Sequence, residues 1–524
     1  MVRCLLAAAL VAGCGGEAKT AAPARKPAQV EVRVDRRVEL ISILFRLADA
    51  DEYRMTAESL PYARAVDGHF GAFRDHPAVA ATRRVREQGG IAFDAPMSLA
   101  IHLDESLRLS PARAALDARW QKVALDDYLA ELHRFAADSG ADRFFAAQAP
   151  YYRRVEARFR RLLAREKPVA WFDRFFGARA GARYLLVPGL LTGPANYGPH
   201  VEGADGSVQL YSIVSLEDID PDGLPRPGRF TAELVVHEMA HGYVNPIVDR
   251  HAAALGPSFA RIFPLVERDM RAQAYGSWTV VAYESLVRAV TLRYVRERHG
   301  DAAADRLARE DENRAFYWTA DLADQLGPRL DMRRVVRFFD RLAARYAGGI
   351  PPRPFVGPID AVFKYVPALV EPSPSASPAL VAYIGEVRKQ IFPSAGSLPG
   401  GGELELRAQV VYGSPASSRL IAALVSDAGW RVDAAGISVA GRRFDGAGLV
   451  LIACRPHPRD PTLPILLYAA ARDDDIVNVN AVFHGPDDWV VARRGADGRF
   501  TIVAKGDFPR SRDGRWHLAG PAAR

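Results

Sequence analysis

The sequence predicts an α+β protein in two parts, a mostly helical domain with a small sheet and then a smaller α+β domain. Three observations predict it. The chain has 524 residues, too many for one compact core. Apolar residues recur at helical spacing through most of the first 350 positions, interrupted by two strand-like runs. Beyond residue 403 short β-type runs take over, after stretches rich in Pro, Ser and Gly.

Composition narrows the functional classes. Hydrophobic residues at 49% and charged residues at 25% are ordinary globular values, unlike those of disordered, collagen-like or disulfide-scaffold chains. No apolar run reaches the roughly 20 residues of a membrane-spanning helix, so a multi-pass membrane protein is not expected. The net charge of +7 comes mostly from Arg interleaved with Asp and Glu. There is no basic block of the kind that grips phosphate backbones, and a nucleic-acid partner is not expected.

In chain order, residues 1–13 read as a signal peptide: one positive charge at Arg3, a short apolar stretch, then small residues. Val11-Ala12-Gly13-Cys14 resembles the lipobox of bacterial lipoproteins. That resemblance implies an exported protein, acylated at Cys14 and tethered to a membrane of the cell envelope through residues 14–29. Gly15 follows the cysteine where an inner-membrane retention signal has Asp, which favours the outer membrane in a cell with two. Several acyl chains anchor far better than one, since each buried methylene contributes about 0.8 kcal/mol. Cys4 leaves with the signal, and Cys454 stands alone, so no disulfide framework is expected.

The main domain is expected over 30–370. Val30–Val34 alternates like a strand, and Val38, Leu40, Ile41, Ile43, Leu44, Phe45 and Leu47 fit a buried helix. Leu116, Trp120 and Val123 lie on a different face from Leu125, Tyr128, Leu129, Leu132 and Phe135, so the helix is buried on two sides or broken near 124. Phe144, Phe145, Tyr151, Tyr152 and Phe159 read as a core stripe. Strands follow at Arg183–Val187 and Ser207–Leu216, the second after the turn Ala204-Asp205-Gly206. A helix is expected from about Phe230 to Val244, stopped by Asn245-Pro246. Further helices are expected near 258–272, 276–298, 301–325 and 329–347. Residues 371–402 read as a linker with one amphipathic segment, and 403–524 as the C-terminal α+β domain.

The chemistry sits in His237-Glu238-Met239-Ala240-His241. Four residues is about one helical turn, so both imidazoles face one way and can reach one tetrahedral Zn²⁺. Glu238, next to the first histidine, is suited to take a proton from water activated by that metal. A catalytic zinc usually has a third protein ligand and one open position. The metzincin pattern would need His at 247 and Gly at 244, where the chain has Ile247 and Val244.

The stretch resembles gluzincin metallopeptidases, in which the third ligand is a Glu on a later helix. Glu284 matches, among apolar Val280, Val281, Leu286, Val287 and Val290. A buried carboxylate needs a partner, and an ion pair with Arg288 one turn on is the competing explanation. His251 is a weaker alternative ligand. Arg288 also stands near where thermolysin-like gluzincins place an acidic residue. The strand at 207–216 would be the edge that pairs with an extended peptide. Tyr197, His200, Tyr275 and Tyr283 are candidate donors to the oxyanion, with Tyr275 and His200 the first choices.

The opening VELISILFRLA, the Asn196-Tyr197-Gly198 segment, the HExxH motif and the later YESLVRA are together similar to a group of bacterial exported proteins catalogued as a domain of unknown function and considered gluzincin-like. The resemblance spans about 30 to 370 and implies a zincin-like fold and a zinc-dependent peptidase acting on a peptide or protein. The alternative is a non-catalytic envelope lipoprotein whose metal site is vestigial or structural and which binds a partner. The C-terminal region offers no catalytic constellation, and Cys454 reads as a buried apolar residue.

Overall fold

The computed structural model describes residues 30–518 apart from 56–59, 111–115, 178–181, 194–195, 204–206, 217, 393–395, 401–403, 427–428, 483 and 511–514. The signal peptide, Cys14, the tether and the turn at 204–206 lie outside the described residues. The fold is mixed, with a helical N-terminal part and a strand-rich C-terminal part. Among the described residues no helix is long and apolar enough to cross a membrane. The chain divides into two compact units, residues 1–247 with 327–330, and 248–326 with 331–524.

The first unit opens with β1 (Val30–Val32) and α1 (Arg36–Leu47). Asp35 caps α1 by accepting from the Arg37 N–H. Val38, Ile41, Ile43, Leu44 and Phe45 are fully buried, so α1 is a core helix and not an amphipathic surface one. Helices α2 (Asp51–Arg54), α3 (Pro61–Phe70), α4 (Pro77–Gly89) and α5 (Asp94–His102) follow. The helix expected around residue 124 is broken there, into a 3₁₀ turn at Ala118–Lys122 and α6 (Leu125–Asp138). On α7 (Ala141–Glu166), Phe144, Phe145, Tyr152 and Phe159 form the expected core stripe, and α8 (Pro168–Phe176) adds Trp171, Phe172 and Phe175.

The sheet of this unit holds β2 (Ala182–Pro188), β3 (His200–Glu202) and β4 (Val208–Val214) in the order β1-β2-β4-β3. β1, β2 and β4 are parallel, and β3 runs antiparallel to β4. The strand expected to be the edge is therefore interior. β4 has neighbours on both sides, and the edge is β3. The Tyr197 N–H and the Ile213 N–H bond each other's carbonyls, which zips the chain leading into β3 against β4.

α9 (Arg229–Arg250) carries the HExxH residues and does not stop at Asn245-Pro246; Pro246 lies inside it. An interior proline sacrifices a backbone hydrogen bond and costs about 3 kcal/mol. Burial of Tyr243, Val244 and Val248 on both sides of it offsets that loss.

In the second unit α11 (Trp278–His299) is central. The Ser277 hydroxyl caps it by accepting from the Val280 N–H. α10 (Ala252–Arg271), α12 (Asp301–Asn313) and α13 (Thr319–Gln325) pack on α11, and α14 (Met332–Arg345) packs on α10.

The same unit contains a seven-stranded sheet of β5 (Ala368–Val370), β6 (Ser397–Leu398), β7 (Gln409–Gly413), β11 (Leu449–Pro456), β12 (Pro464–Ala470), β13 (Trp489–Arg494) and β14 (Phe500–Gly506). Its order is β14-β13-β11-β12-β7-β5-β6. The expected linker at 371–402 is part of this structure. β6 within it pairs with β5 just before it, and α15 (Pro378–Ile391), the expected amphipathic segment, buries Leu380, Ile384 and Val387 on one face of the sheet. The other face is covered by α16 (Arg419–Leu424) and the small hairpin sheet β8 (Arg431–Asp433), β9 (Gly436–Val439) and β10 (Arg442–Asp445). Among the short β-type runs beyond 403, IVNVNAVF (476–483) is not a strand over its described residues: a 3₁₀ turn at Asp473–Ile476 leads into it and a second spans Val479–Ala481. Asn478 there is left-handed at φ 69°, and Asn480 bonds the hydroxyls of Tyr383 and Tyr412. Cys454 is fully buried in β11, and burial pushes its thiol well above the usual range.

Candidate metal centre

The candidate site grows from how α9 is fixed. Gly242 lies close against β4: a Cβ there would be 2.5 Å from Leu210 Cδ2, so any larger residue would have to displace the Leu210 side chain. Tyr243 stacks on Phe172 at 5.2 Å and Phe176 at 4.8 Å, and its hydroxyl bonds that of Tyr184. These contacts set the rotation of the helix, and the remaining turn presents His237 and His241 together, ring centroids 5.1 Å apart. The His241 Nδ1–H donates to Asn245 Oδ1 at 3.2 Å. That bond selects the tautomer whose Nε2 lone pair can ligate a metal.

Glu238 faces the loop before β3. A Cβ on Gly198 would be 2.7 Å from Glu238 Oε2 and 3.0 Å from its backbone oxygen. The Asn196 Oδ1 holds this loop by accepting from the Ser215 N–H at 2.8 Å. A side chain at position 198 would therefore press on the Glu238 carboxylate and its backbone.

Among the described residues, His237, His241 and Glu284 form one group with metal-ligand character, their ligand atoms all within 4.8 Å of one another. Two half-buried imidazoles and a buried carboxylate are a donor set that suits catalytic Zn²⁺, with one position left for water or substrate. Glu284 is also paired: Arg288 Nη2 lies 3.1 Å from its Oε2. Where thermolysin-like gluzincins have an acidic residue this chain has Arg288, and its Nη1 lies 2.6 Å from Asp311 on the next helix.

The other candidates fall as follows. His251 sits at the turn between α9 and α10 and is not in the three-residue group. His200 lies on the edge strand β3, half exposed, its Nε2 3.9 Å from Glu202 Oε1. Tyr197 is buried, and burial raises its hydroxyl well above the usual range. The Tyr275 hydroxyl accepts from Arg288 Nη2 at 3.2 Å, and the Tyr283 hydroxyl donates to Asp249. Asn245, Gly198 and Asp311 were not singled out from the sequence. Asn245 was findable, since it repeats the four-residue spacing of the histidines.

A family model described as "Domain of unknown function (DUF4932)" matches residues 30–333, more than half of the chain. The chain belongs to this family. The DUF4932 match takes in α9, α11 and Asp311 and leaves out the seven-stranded sheet. No curated protein and no solved structure matches the chain.

Proposed function

We propose that this DUF4932 protein is a zinc-dependent peptidase of the gluzincin type, exported and tethered to an envelope membrane through Cys14. The observation that carries the reading is the gathering of His237, His241 and Glu284, with Glu238 on the same helix as the histidines. The two imidazoles and the Glu284 carboxylate would hold the ion. When bound, zinc supplies Lewis acidity that makes water a competent nucleophile near neutral pH. Glu238 takes the proton of the attacking water on its carboxylate and returns it to the leaving amine nitrogen. β3 ends the sheet, and a substrate peptide binding as an added strand would pair with it.

One observation favours a second reading. Glu284 already has a cationic partner in Arg288, so its burial is compatible with a structural ion pair in a non-catalytic lipoprotein. Metal analysis of the purified protein, followed by cleavage of a peptide library with and without chelator, separates the two. Stoichiometric zinc with chelator-sensitive cleavage supports the peptidase. A protein that neither retains zinc nor cleaves supports the lipoprotein.

A further inference from the structure

Arg288 is buried to the same degree as Glu284, at 5% and 7% exposure, and four groups surround its guanidinium. Glu284 Oε2 is 3.1 Å from Nη2, Asp311 Oδ1 accepts from Nη1 at 2.6 Å, and Tyr275 Oη accepts from Nη2 at 3.2 Å. The Phe316 ring lies across it, 4.5 Å from the guanidinium carbon. Burial works against the charge, but Asp311 and Glu284 hold the guanidinium's pKa above its ordinary value, so it is a permanent cation.

We propose that Arg288 is a positioning residue for Glu284, and that Asp311 neutralises the Arg288 charge that would otherwise weaken Glu284 as a metal ligand. This rests on the zinc reading above. A guanidinium 3.1 Å from one carboxylate oxygen attracts that oxygen, which favours one rotation of the group and so one orientation of Glu284 toward the histidines. An uncompensated cation at this distance would also draw charge from the carboxylate and repel a dication, strongly in a buried setting. The 2.6 Å bond to Asp311 spreads the positive charge over two carboxylates. Tyr275 and Phe316 hold the guanidinium in place without adding charge.

The test measures zinc affinity by chelator competition on the full chain, with the melting temperature of the metal-free protein as a folding control. Asp311→Asn should raise the zinc Kd about 10–100-fold, the usual effect of removing a group that supports a metal ligand. The double variant Arg288→Gln/Asp311→Asn should bind zinc more tightly than Asp311→Asn alone, because the uncompensated cation is gone. A packing role predicts the reverse, with the two losses adding, and that result overturns the proposal. So does a Kd for Asp311→Asn within about threefold of wild type, well short of the support expected. Should Asp311→Asn not fold, Arg288→Lys keeps the charge but loses the two-sided grip. Its Kd should rise about tenfold, and an unchanged value refutes the positioning role. If the wild type binds no zinc, the metal reading fails and this inference with it. If the wild type binds zinc and the variants match it, only this inference fails.

Discussion

Gly198 and Glu238 are in such close approach that a Cβ at position 198 would lie 2.7 Å from the Glu238 carboxylate. The glycine is required there by space, since the nearest atoms belong to the proposed general base and its own backbone. Gly198→Ala must displace the carboxylate or the loop. The expected result is retained zinc with peptidase activity lowered about 100-fold, the usual cost of an ångström-scale misplacement. Activity within a few-fold of wild type would show that the carboxylate and loop adjust without cost and that the glycine is not required.

The proposed roles of the motif residues separate by metal content. Glu238→Gln keeps size and both histidines, so zinc should stay while the rate falls about 10²–10⁴-fold. His237→Ala, His241→Ala and Glu284→Ala should each release the metal, since two ligands hold zinc poorly. Metal analysis beside the peptidase assay reads both effects. Full zinc and full activity in Glu284→Ala would refute Glu284 as the third ligand.

Asn245 offers a test that separates metal binding from stability. Its Oδ1 accepts from His241 Nδ1–H at 3.2 Å, and it stands inside α9. Asn245→Ala should weaken zinc binding about 10–100-fold. The metal-free protein should not lose stability from helix propensity, because alanine is the better helix former. Unchanged zinc affinity would show that the tautomer of His241 is set by something else.

The buried Glu39 gives a pH dependence of known sign. It is completely buried on α1, with its Oε1 accepting from the Leu190 N–H at 3.2 Å, and burial raises its pKa to about 8. Between about pH 4.5 and 8 the unfolded chain has released a proton that the folded protein keeps. Stability should therefore fall as pH rises through that window, by up to about 1.4 kcal/mol per pH unit from this group. Glu39→Gln should remove that slope. Asp488, raised to about 8 by burial in the other unit, stays in the variant, so the difference between the two profiles isolates Glu39. Parallel profiles from pH 5 to 8 would show that Glu39 is ionised in the folded state.

The tether is tested by fractionation. Cys14→Ser should shift the protein from the membrane to the soluble envelope fraction or leave it unprocessed, while Cys4→Ser should change nothing in the mature protein. Unaltered membrane partitioning of Cys14→Ser would refute acylation at that cysteine.

What the sequence alone determined is local. A four-residue spacing on a helix aligns His237 with His241, the aromatic run on α7 makes a core stripe, and short β-type runs bounded by turn residues mark β4 and β11, because helix periods and turn signals act within a few residues. The tertiary structure decided what depends on partners distant in the chain. Pro246 should have ended α9, yet the buried residues on either side carry the helix through it. Residues 371–402 read as a linker with one amphipathic segment, and α15 is that segment, but the pairing of β6 with β5 just before it runs through backbone groups that composition does not register. β4 was expected at the sheet edge, and only the pairing of His200–Glu202 makes it interior. The ion pair of Arg288 with Glu284 was legible at one turn's spacing, whereas Asp311 on the next helix was not. Neither was the space that Gly198 leaves for Glu238. Each of these turns on how side chains far apart in sequence fill one another's space and satisfy one another's charge, and those energies exist only once the chain is packed.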